Sequence, residues 1–177
     1  MIEQGLPLAL RPLEVRDAEV IAGWAADPEF CRAADWTPGL SFVERRRFHQ
    51  RLIESPPPGL IRLGATHAGG HLVGYVDLHG DQPDRRDLGF VVGERGNWGR
   101  GLGRLAGAAG LDYGFGELAL DEVWAEAADA NQRSVRILRR LGLRETGRGV
   151  ESMFLGQPTY YRQFAITAED WGRVRRQ

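Results

Sequence analysis

A glycine-rich turn joins two apolar segments of this chain and reads Gly96-Asn97-Trp98-Gly99-Arg100-Gly101-Leu102-Gly103-Arg104. The segment before it, Arg86–Val92, has the composition of a strand, and the segment from Leu102 towards Tyr113 has apolar residues at helical spacing. Glycines in such a turn bring backbone N–H groups close to a ligand, and a helix start adds unpaired donors and a positive dipole end. The turn therefore predicts a binding site for a diphosphate.

Three arginines in and beside the turn, Arg95, Arg100 and Arg104, are expected to supply positive charge to the same anion. A tight strand-to-helix turn would by itself explain the glycines, but the arginines favour the anion site. The Gly-x-Gly-x-x-Ala spacing that starts at Gly101 also fits a dinucleotide fingerprint. That fingerprint directly follows its strand and opens a series of parallel strands, whereas here a loop intervenes and an antiparallel pattern precedes it. A dinucleotide-binding fold is therefore disfavoured.

The composition is that of an ordinary globular protein. The chain has 177 residues, 42% of them hydrophobic and 27% charged, which fits one domain covering residues 1–177. The formal net charge is -1, so no overall field attracts nucleic acid or an anionic membrane, and neither is expected as a partner. All 23 basic residues are arginines. The absence of lysine excludes a Schiff-base or nucleophilic lysine and the phosphate loop that requires one.

Cysteine, histidine and hydropathy patterns exclude further classes of protein. Cys31 is the single cysteine and is interpreted as a packing residue near a helix end. No apolar run is long enough to span a membrane and residues 1–5 do not resemble a signal peptide, which predicts a cytoplasmic protein. The histidines have no metal-ligand spacing, so they are interpreted as surface or strand residues and no metal is expected. They are His49, His67, His71 and His79.

Strand and helix signals continue on both sides of the turn. An antiparallel meander precedes it, and a strand, a helix and a final hairpin follow it, so the predicted fold class is mixed α/β. Asp17 is expected to cap a first helix whose Val20, Ile21 and Trp24 share one face, and Ser41 opens a second helix with a capping box. A later helix is predicted over Asn131–Leu141. The predicted strands are Leu8–Leu13, Leu60–Thr66, His71–His79, Arg86–Val92, Val123–Ala127, Met153–Phe154 and Tyr160–Thr167.

Several motifs together resemble the acetyl-CoA site of the GNAT N-acetyltransferase superfamily. The strand Leu88–Val92 is followed by Trp98–Gly103, and Asn131–Ser134 is similar to the family's second motif. The opening Leu10–Leu13, Asp27-Pro28 and the Trp-Gly-x-Gly form of the turn are similar to the RimJ/RimL branch, whose members modify protein N-terminal amines. The resemblance covers nearly the whole chain.

The resemblance implies a central, mostly antiparallel mixed sheet flanked by helices, with two strands splayed apart at the acetyl-CoA site. Acetyl-CoA is then the cosubstrate. Free backbone N–H groups of the strand before the turn are expected to hold the pantetheine arm and to polarise the thioester carbonyl. Asn131 is expected both to cap its helix and to face the cofactor. The implied cofactor-binding residues are Phe90, Val91, Val92, Trp98, Gly99, Arg100, Gly101, Leu102, Gly103, Arg104, Asn131 and Ser134.

Acetyl transfer needs an acid to protonate the leaving thiolate. Where many members of the family carry a tyrosine acid, this chain has Leu138, which cannot donate a proton. Protonation is therefore expected from Ser134, with Tyr160, Tyr161 or water as alternatives. Ser134 would also suit the first turn of a helix without any catalytic role.

The reaction also needs a base, because a primary amine is mostly protonated near pH 7. Glu151 resembles the acidic position used in the RimL-like branch and is the expected base, with Asp87 as the alternative. Each of the two carboxylates would also suit an exposed surface position. Trp36, in the loop before the second helix, is expected to form a wall of the acceptor pocket.

These observations predict an acetyl-CoA-dependent N-acetyltransferase that acts on a primary amine. The resemblance implies a protein N-terminal amine as acceptor, and a small-molecule amine such as an aminoglycoside or a polyamine is the alternative. A non-catalytic acyl-CoA sensor is a further hypothesis, because Leu138 removes the usual acid. A homodimer is compatible with the sequence.

Overall fold

The computed structural model describes residues 8–67 and 69–176, and these contain seven strands and six α-helices. Residues 1–7, which include the N-terminus considered above, lie outside the described residues. The strands are β1 (Ala9–Pro12), β2 (Leu60–Thr66), β3 (Leu72–His79), β4 (Arg85–Val92), β5 (Glu122–Ala128), β6 (Arg144–Phe154) and β7 (Gln157–Thr167). The helices are α1 (Asp17–Trp24), α2 (Pro28–Ala33), α3 (Phe42–Glu54), α4 (Leu102–Gly116), α5 (Gln132–Arg140) and α6 (Ala168–Arg175).

All seven strands belong to one sheet in the order β1-β2-β3-β4-β5-β7-β6. Neighbouring strands are antiparallel except β4 and β5, which run parallel. The register between β4 and β5 covers only three pairs, from Arg85 opposite Glu122 to Asp87 opposite Trp124. Beyond Asp87 the two strands are no longer paired, although each continues for several residues. The predicted mostly antiparallel sheet with two splayed strands is therefore confirmed.

The main core lies on the face of the sheet that α4 and α5 cover. Leu88 of β4, Leu111 of α4, Val135 of α5 and Phe164 of β7 are buried in it. Cys31, which is also buried, belongs with Trp24 to a smaller cluster on the other side, as its interpretation as a packing residue predicts. Helices α1 and α3 pack on each other there, and this second cluster meets the end of β4.

Four glycines along α4 allow that helix to lie close to its neighbours. An added Cβ would lie 2.9 Å from the Ile137 side chain at Gly103 and 2.6 Å from the Leu141 side chain at Gly107. Gly110 and Gly114 continue the same face towards β3 and β4. Part of the glycine content of this region therefore serves packing rather than ligand binding.

Two details of the first helix differ from the prediction. The residue before α1 is Arg16, and Asp17 is its first helical residue, buried in a bidentate ion pair with Arg11 at 2.7 and 2.9 Å. Val20 is exposed, while Ile21 and Trp24 are buried as predicted. The partner of Asp17 is Arg11 on β1, and rules for helix capping consider only residues next to the helix, so they do not predict this ion pair.

The C-terminal hairpin is longer than predicted. Strand β6 begins at Arg144 rather than near Met153, and the connecting turn is Leu155-Gly156, with positive φ at both residues. Strand β7 begins at Gln157, three residues before the predicted start at Tyr160. The start of β6 escaped prediction because this edge strand is mostly exposed and has no hydrophobic alternation.

Helix α3 begins at the predicted capping box of Ser41 and Glu44. Among its residues, His49 is 4% exposed, so its interpretation as a surface or strand residue is wrong.

No helix among the described residues is long and apolar enough to cross a membrane.

Candidate active site

The opening between β4 and β5 exposes backbone donors. The N–H of Gly93 donates to the carbonyl of Val73 at 2.8 Å, so Gly93 points towards β3. Because N–H groups alternate in direction along an antiparallel strand, those of Phe90 and Val92 point the other way, into the opening. The backbone N–H of Val91 points towards β3. The N–H groups of Phe90 and Val92 are therefore the two donors available to a ligand.

Trp98 fixes the start of the glycine-rich turn against this opening. Its indole N–H donates to the carbonyl of Val92 at 3.0 Å, and its ring lies 6.5 Å from that of Phe30. The side chain of Trp98 therefore holds the loop that follows β4, and it occupies the Val92 carbonyl while the Val92 N–H stays free.

The first residues of α4 follow two glycines in the left-handed region. Gly99 has φ +77° and Gly101, the residue before the helix, has φ +83°. A Cβ at either position would meet no protein atom within 4 Å, so both face open space. The unpaired N–H groups at the start of this 15-residue helix thus adjoin space that a phosphate can enter.

One cavity of about 650 Å³ brings these parts together. It is bounded by the end of β4, the start of α4, the start of α5 and the tip of the β6–β7 hairpin. Of the predicted cofactor-binding residues, all except Arg100 line it. These are Phe90, Val91, Val92, Trp98, Gly99, Gly101, Leu102, Gly103, Arg104, Asn131 and Ser134.

The positive charge of the cavity comes mostly from α5. Arg133, Arg136 and Arg140 line the cavity at helical spacing, together with Arg104. Arg95, which was expected to contact the anion, instead forms ion pairs with Asp27 and Glu29. The sequence signal for the α5 arginines was their spacing, which places them on one helix face.

Asn131 and Ser134 begin α5 at the cavity wall. The side-chain oxygen of Asn131 accepts a hydrogen bond from the backbone N–H of Ser134 at 3.2 Å, so Asn131 caps the helix. The Ser134 side chain lines the cavity. Leu138, one turn further, is 2% exposed and packs in the core rather than facing the cofactor.

Glu151 does not lie at this cavity. Its side chain is 77% exposed on β6 and forms an ion pair with Arg148 at 2.6 Å. The structure therefore does not bring Glu151 together with Ser134 or with the donors of β4, and its role as a base stays a prediction. Tyr160, one of the alternative acids, lies opposite Glu151 with the Arg148 guanidinium 3.8 Å above its ring.

Asp87 stands where the pairing of β4 and β5 ends. Its side chain lies on the face opposite α4, together with those of Asp77 on β3 and Glu126 on β5. Burial, and then the nearby negative charge of Glu126, raise the pKa of Asp87 to about 6. Asp77 is neutralised by a bidentate ion pair with Arg62, with both distances 2.7 Å.

Between Asp87 and Val91, this face of β4 carries no side chain, because the residue there is a glycine. The next residue on the same face is Gly89, whose added Cβ would meet only the Asp77 side chain, at 3.7 Å. Val91 follows, next to the donors that face the opening. Asp87 itself is not among the residues that line the cavity; it lies on the same face as Val91, four residues earlier on β4.

Replacing Gly101 by valine is expected to weaken acetyl-CoA binding. The φ of +83° is strained for a β-branched residue, and the new side chain would fill space at the helix start that a diphosphate would occupy. Gly70→Val is the matched control, because Gly70 has φ +81° and open space but lies in the β2–β3 loop. Calorimetry with acetyl-CoA measures both variants, and an unchanged affinity of folded Gly101→Val would exclude the diphosphate site.

Splayed strands, β4 backbone donors and a cationic helix start together form a site that suits an extended anionic ligand with a polarisable carbonyl. The family is shown by sequence: residues 8–144 match the model of the acetyltransferase (GNAT) domain. The chain therefore belongs to the GNAT acetyltransferases.

Individual relatives agree with this family. The chain is 26% identical over 144 residues to an uncharacterised N-acetyltransferase, p20, of Bacillus licheniformis, covering 79% of this chain and 80% of that protein. The fold is similar to that of spermidine N-acetyltransferase from Vibrio cholerae, solved with CoA and spermine, at a TM-score of 0.79 and 22% identity over 93% of this chain and 97% of that one. A GNAT acetyltransferase from Bacillus anthracis gives a TM-score of 0.76 at 20% identity, over 94% and 98% of the two chains. The chain is accordingly an N-acetyltransferase.

Proposed function

We propose that this chain transfers the acetyl group of acetyl-CoA to a primary amine, with the cofactor bound in the cavity between β4, α4 and α5. The observation that carries this proposal is the single cavity that contains the β4 donors, the glycine-capped start of α4 and the arginines of α5. The diphosphate would contact Gly101–Arg104, and the pantetheine arm would run along Phe90–Val92. Arg136 and Arg140 would supply charge to the phosphates.

The N–H groups of Phe90 and Val92 would polarise the thioester and stabilise the oxyanion that forms when the amine attacks its carbonyl carbon. Asp87, directly or through water, would take the proton that the amine loses. The C–S bond then breaks, and the proton on the leaving thiolate would come from Ser134 or from a water that it holds. The products are the acetamide and CoA.

The acceptor is the open part of the proposal. The similarity to the RimJ/RimL branch supports a protein N-terminal amine, whereas the names of the Vibrio cholerae relatives support a polyamine. One of those relatives has been solved as a dodecamer, which supports self-association of this chain as well. Asp87 and Glu126 would attract the ammonium form of any such acceptor to the cavity.

Incubation with acetyl-CoA and a library of amines tests the proposal. We expect free CoA thiol to appear in step with an acceptor whose mass has increased by one acetyl group. Binding of acetyl-CoA without turnover on any amine would contradict the proposal and favour an acyl-CoA sensor. Failure to bind acetyl-CoA would contradict the cofactor site itself.

A further inference from the structure

A second cavity, of about 280 Å³, lies between α3, the loop before it and the strands β2 and β3. Its walls are the aromatic rings of Trp36, Tyr75 and Phe48 and the polar side chains of Arg45, His49 and Arg62. We call it the α3 cavity. Nothing in the cofactor site accounts for the two guanidinium groups that it contains.

Arg45 is a buried charge without a counter-ion. The residue is 7% exposed, and one of its N–H groups donates to the carbonyl of Thr37 at 2.7 Å. No carboxylate among residues 8–67 and 69–176 lies within 4.0 Å of its guanidinium. A buried cation of this kind is costly unless an anion completes its hydrogen bonds. The Arg45 guanidinium also lies 5.6 Å from the centre of the Trp36 ring, and an anionic ligand would pair with the N–H groups that Thr37 leaves unused.

His49 provides a second, independent indication. It is 4% exposed, and its Nδ1 atom is buried without a hydrogen-bond partner in the described chain. Its ring lies 5.1 Å from that of Trp36 and 5.2 Å from that of Phe48. Burial, followed by the charges of Arg62 and Arg45, lowers the pKa of His49 to about 4, so the ring is neutral at pH 7. A neutral ring with a proton on Nδ1 can donate to an oxygen of the ligand.

The negative charges near the cavity do not balance Arg45. Asp77 is occupied by its bidentate ion pair with Arg62, whose guanidinium lies 4.1 Å from the centre of the Tyr75 ring. Asp35 is the carboxylate among the described wall residues, and it is exposed at the rim. The chemistry of the cavity is thus that of one anionic group attached to an apolar or aromatic frame.

The α3 cavity adjoins the acetyl end of the cofactor site. Tyr75 on β3 lies directly opposite Val91 on β4, so the two side chains share the face along which the acceptor would approach. The ring of Trp36 lies 5.0 Å from that of Phe30, which lines the cofactor cavity from the other side. The two cavities are therefore neighbours without a shared lining residue, and an acceptor with its amine near Val91 would pass the buried Tyr75 ring to reach the α3 cavity.

We propose that the α3 cavity binds a carboxylate of the acceptor, so that the acetylated substrate is a small amine that also carries a carboxylate, such as an amino acid. This inference rests on the proposed function. Arg45 would pair with the carboxylate, His49 would donate to it, and Trp36 and Tyr75 would enclose the carbon frame. A polyamine would bring only positive charge to a cavity that already contains an uncompensated guanidinium.

Matched amines with and without a carboxylate test the inference. We would compare phenylalanine with phenethylamine, and lysine with cadaverine, alongside spermidine as a polyamine. For at least one pair, kcat/KM is expected to be about 10- to 100-fold higher for the amine with the carboxylate, the factor expected for a charge-assisted hydrogen bond. Equal values within every pair, or a preference for spermidine, would overturn the proposal.

Substitutions in the α3 cavity test whether the preference for carboxylate-bearing amines arises there. Arg45→Gln should remove most of the preference by raising KM for the carboxylate-bearing amine, while the amine without it and the affinity for acetyl-CoA change little. Arg47→Gln, two residues further along α3 at an exposed position, is the matched control. His49→Leu is the second variant in case Arg45→Gln does not fold, and it should reduce the same preference. An equal loss for both members of a pair would overturn the assignment.

Binding without turnover separates this inference from the proposed function. Calorimetry with the same amines and no acetyl-CoA measures occupancy of the α3 cavity even if no amine is acetylated, and a change in tryptophan fluorescence that Trp36→Phe removes assigns the binding to that cavity. If no amine is acetylated but carboxylate-bearing amines bind and Arg45→Gln abolishes that binding, the α3 cavity is supported as a carboxylate site and the transferase proposal is not. Absence of binding would overturn it. A carboxylate-bearing molecule that binds in the α3 cavity and alters the turnover of another amine, but is not itself acetylated, would show that the cavity does not bind the acceptor.

Discussion

Replacing Asp87 by asparagine is expected to lower kcat by about 10²–10⁴, the range for loss of one acid–base group. Asp87 is the half-buried carboxylate at the point where β4 and β5 part, and its pKa is raised to about 6 by desolvation and by Glu126. The active form is the ionised one, so the activity of the unaltered protein should rise as pH increases through about 6. Asp87→Asn should lose this acidic limb, as measured by pH–rate profiles with the identified acceptor.

Two control variants separate Asp87 from the other carboxylates. Glu151→Gln should change kcat little, because the Glu151 side chain is 77% exposed and is paired with Arg148. Glu126→Gln should move the acidic limb to lower pH, because it removes a negative charge that raises the pKa of Asp87. The opposite pattern, with activity lost in Glu151→Gln and kept in Asp87→Asn, would assign the base to Glu151.

The same substitution should make the protein more stable at neutral pH. Since the pKa of Asp87 rises from 3.8 to about 6 on folding, its contribution to stability falls as pH increases across that window and is constant above it. Asparagine cannot ionise, so Asp87→Asn should raise the free energy of unfolding at pH 7.5 by on the order of 1–3 kcal/mol. Denaturant unfolding at pH 7.5 and at pH 4 measures this, and the gain should shrink at the lower pH.

Replacing Ser134 by alanine is expected to lower kcat by about 10² or more, while KM for acetyl-CoA changes much less. Protonation of the thiolate matters in the transition state rather than in the bound ground state, so its loss acts on kcat. Ser134 lies at the cavity wall in the first turn of α5, where Leu138 cannot replace it because that side chain is buried in the core.

Ser134→Thr is the matched variant, because it keeps a hydroxyl at the same position and should retain most of kcat. A purely structural role of Ser134 would lower the melting temperature of Ser134→Ala without separating kcat from KM. Unchanged kcat in a folded Ser134→Ala variant would contradict its role, and Tyr161 or water would then become the proposed source of the proton.

The cofactor half of the site could be predicted from sequence because its parts are local. The glycine-rich turn, the strand before it and the Asn131 cap are contiguous segments whose geometry follows from neighbouring residues. The splayed strands were expected only from the family resemblance. The structure adds which N–H groups of β4 face the opening, and this reduces the expected donors from Phe90, Val91 and Val92 to Phe90 and Val92.

The proton-transfer and acceptor parts depend on contacts between distant segments, and sequence reasoning was weaker there. Glu151 and Asp87 were both candidate bases, and only burial beside Glu126 distinguishes them. Arg95 was expected at the phosphates, but its ion pairs with Asp27 and Glu29 join it to another part of the chain. The α3 cavity combines side chains from α3, β2 and β3, so the burial of Arg45 and His49 could not be read from either segment alone.

A crystal structure of the protein with CoA tests the central claim most directly. We expect the diphosphate at the backbone of Gly101–Arg104, the pantetheine arm hydrogen-bonded to the N–H groups of Phe90 and Val92, and the sulfur beside Ser134. Arg136 and Arg140 should contact phosphate oxygens. CoA bound elsewhere, for example in the α3 cavity, or an opening between β4 and β5 that stays empty at saturating CoA, would contradict the account.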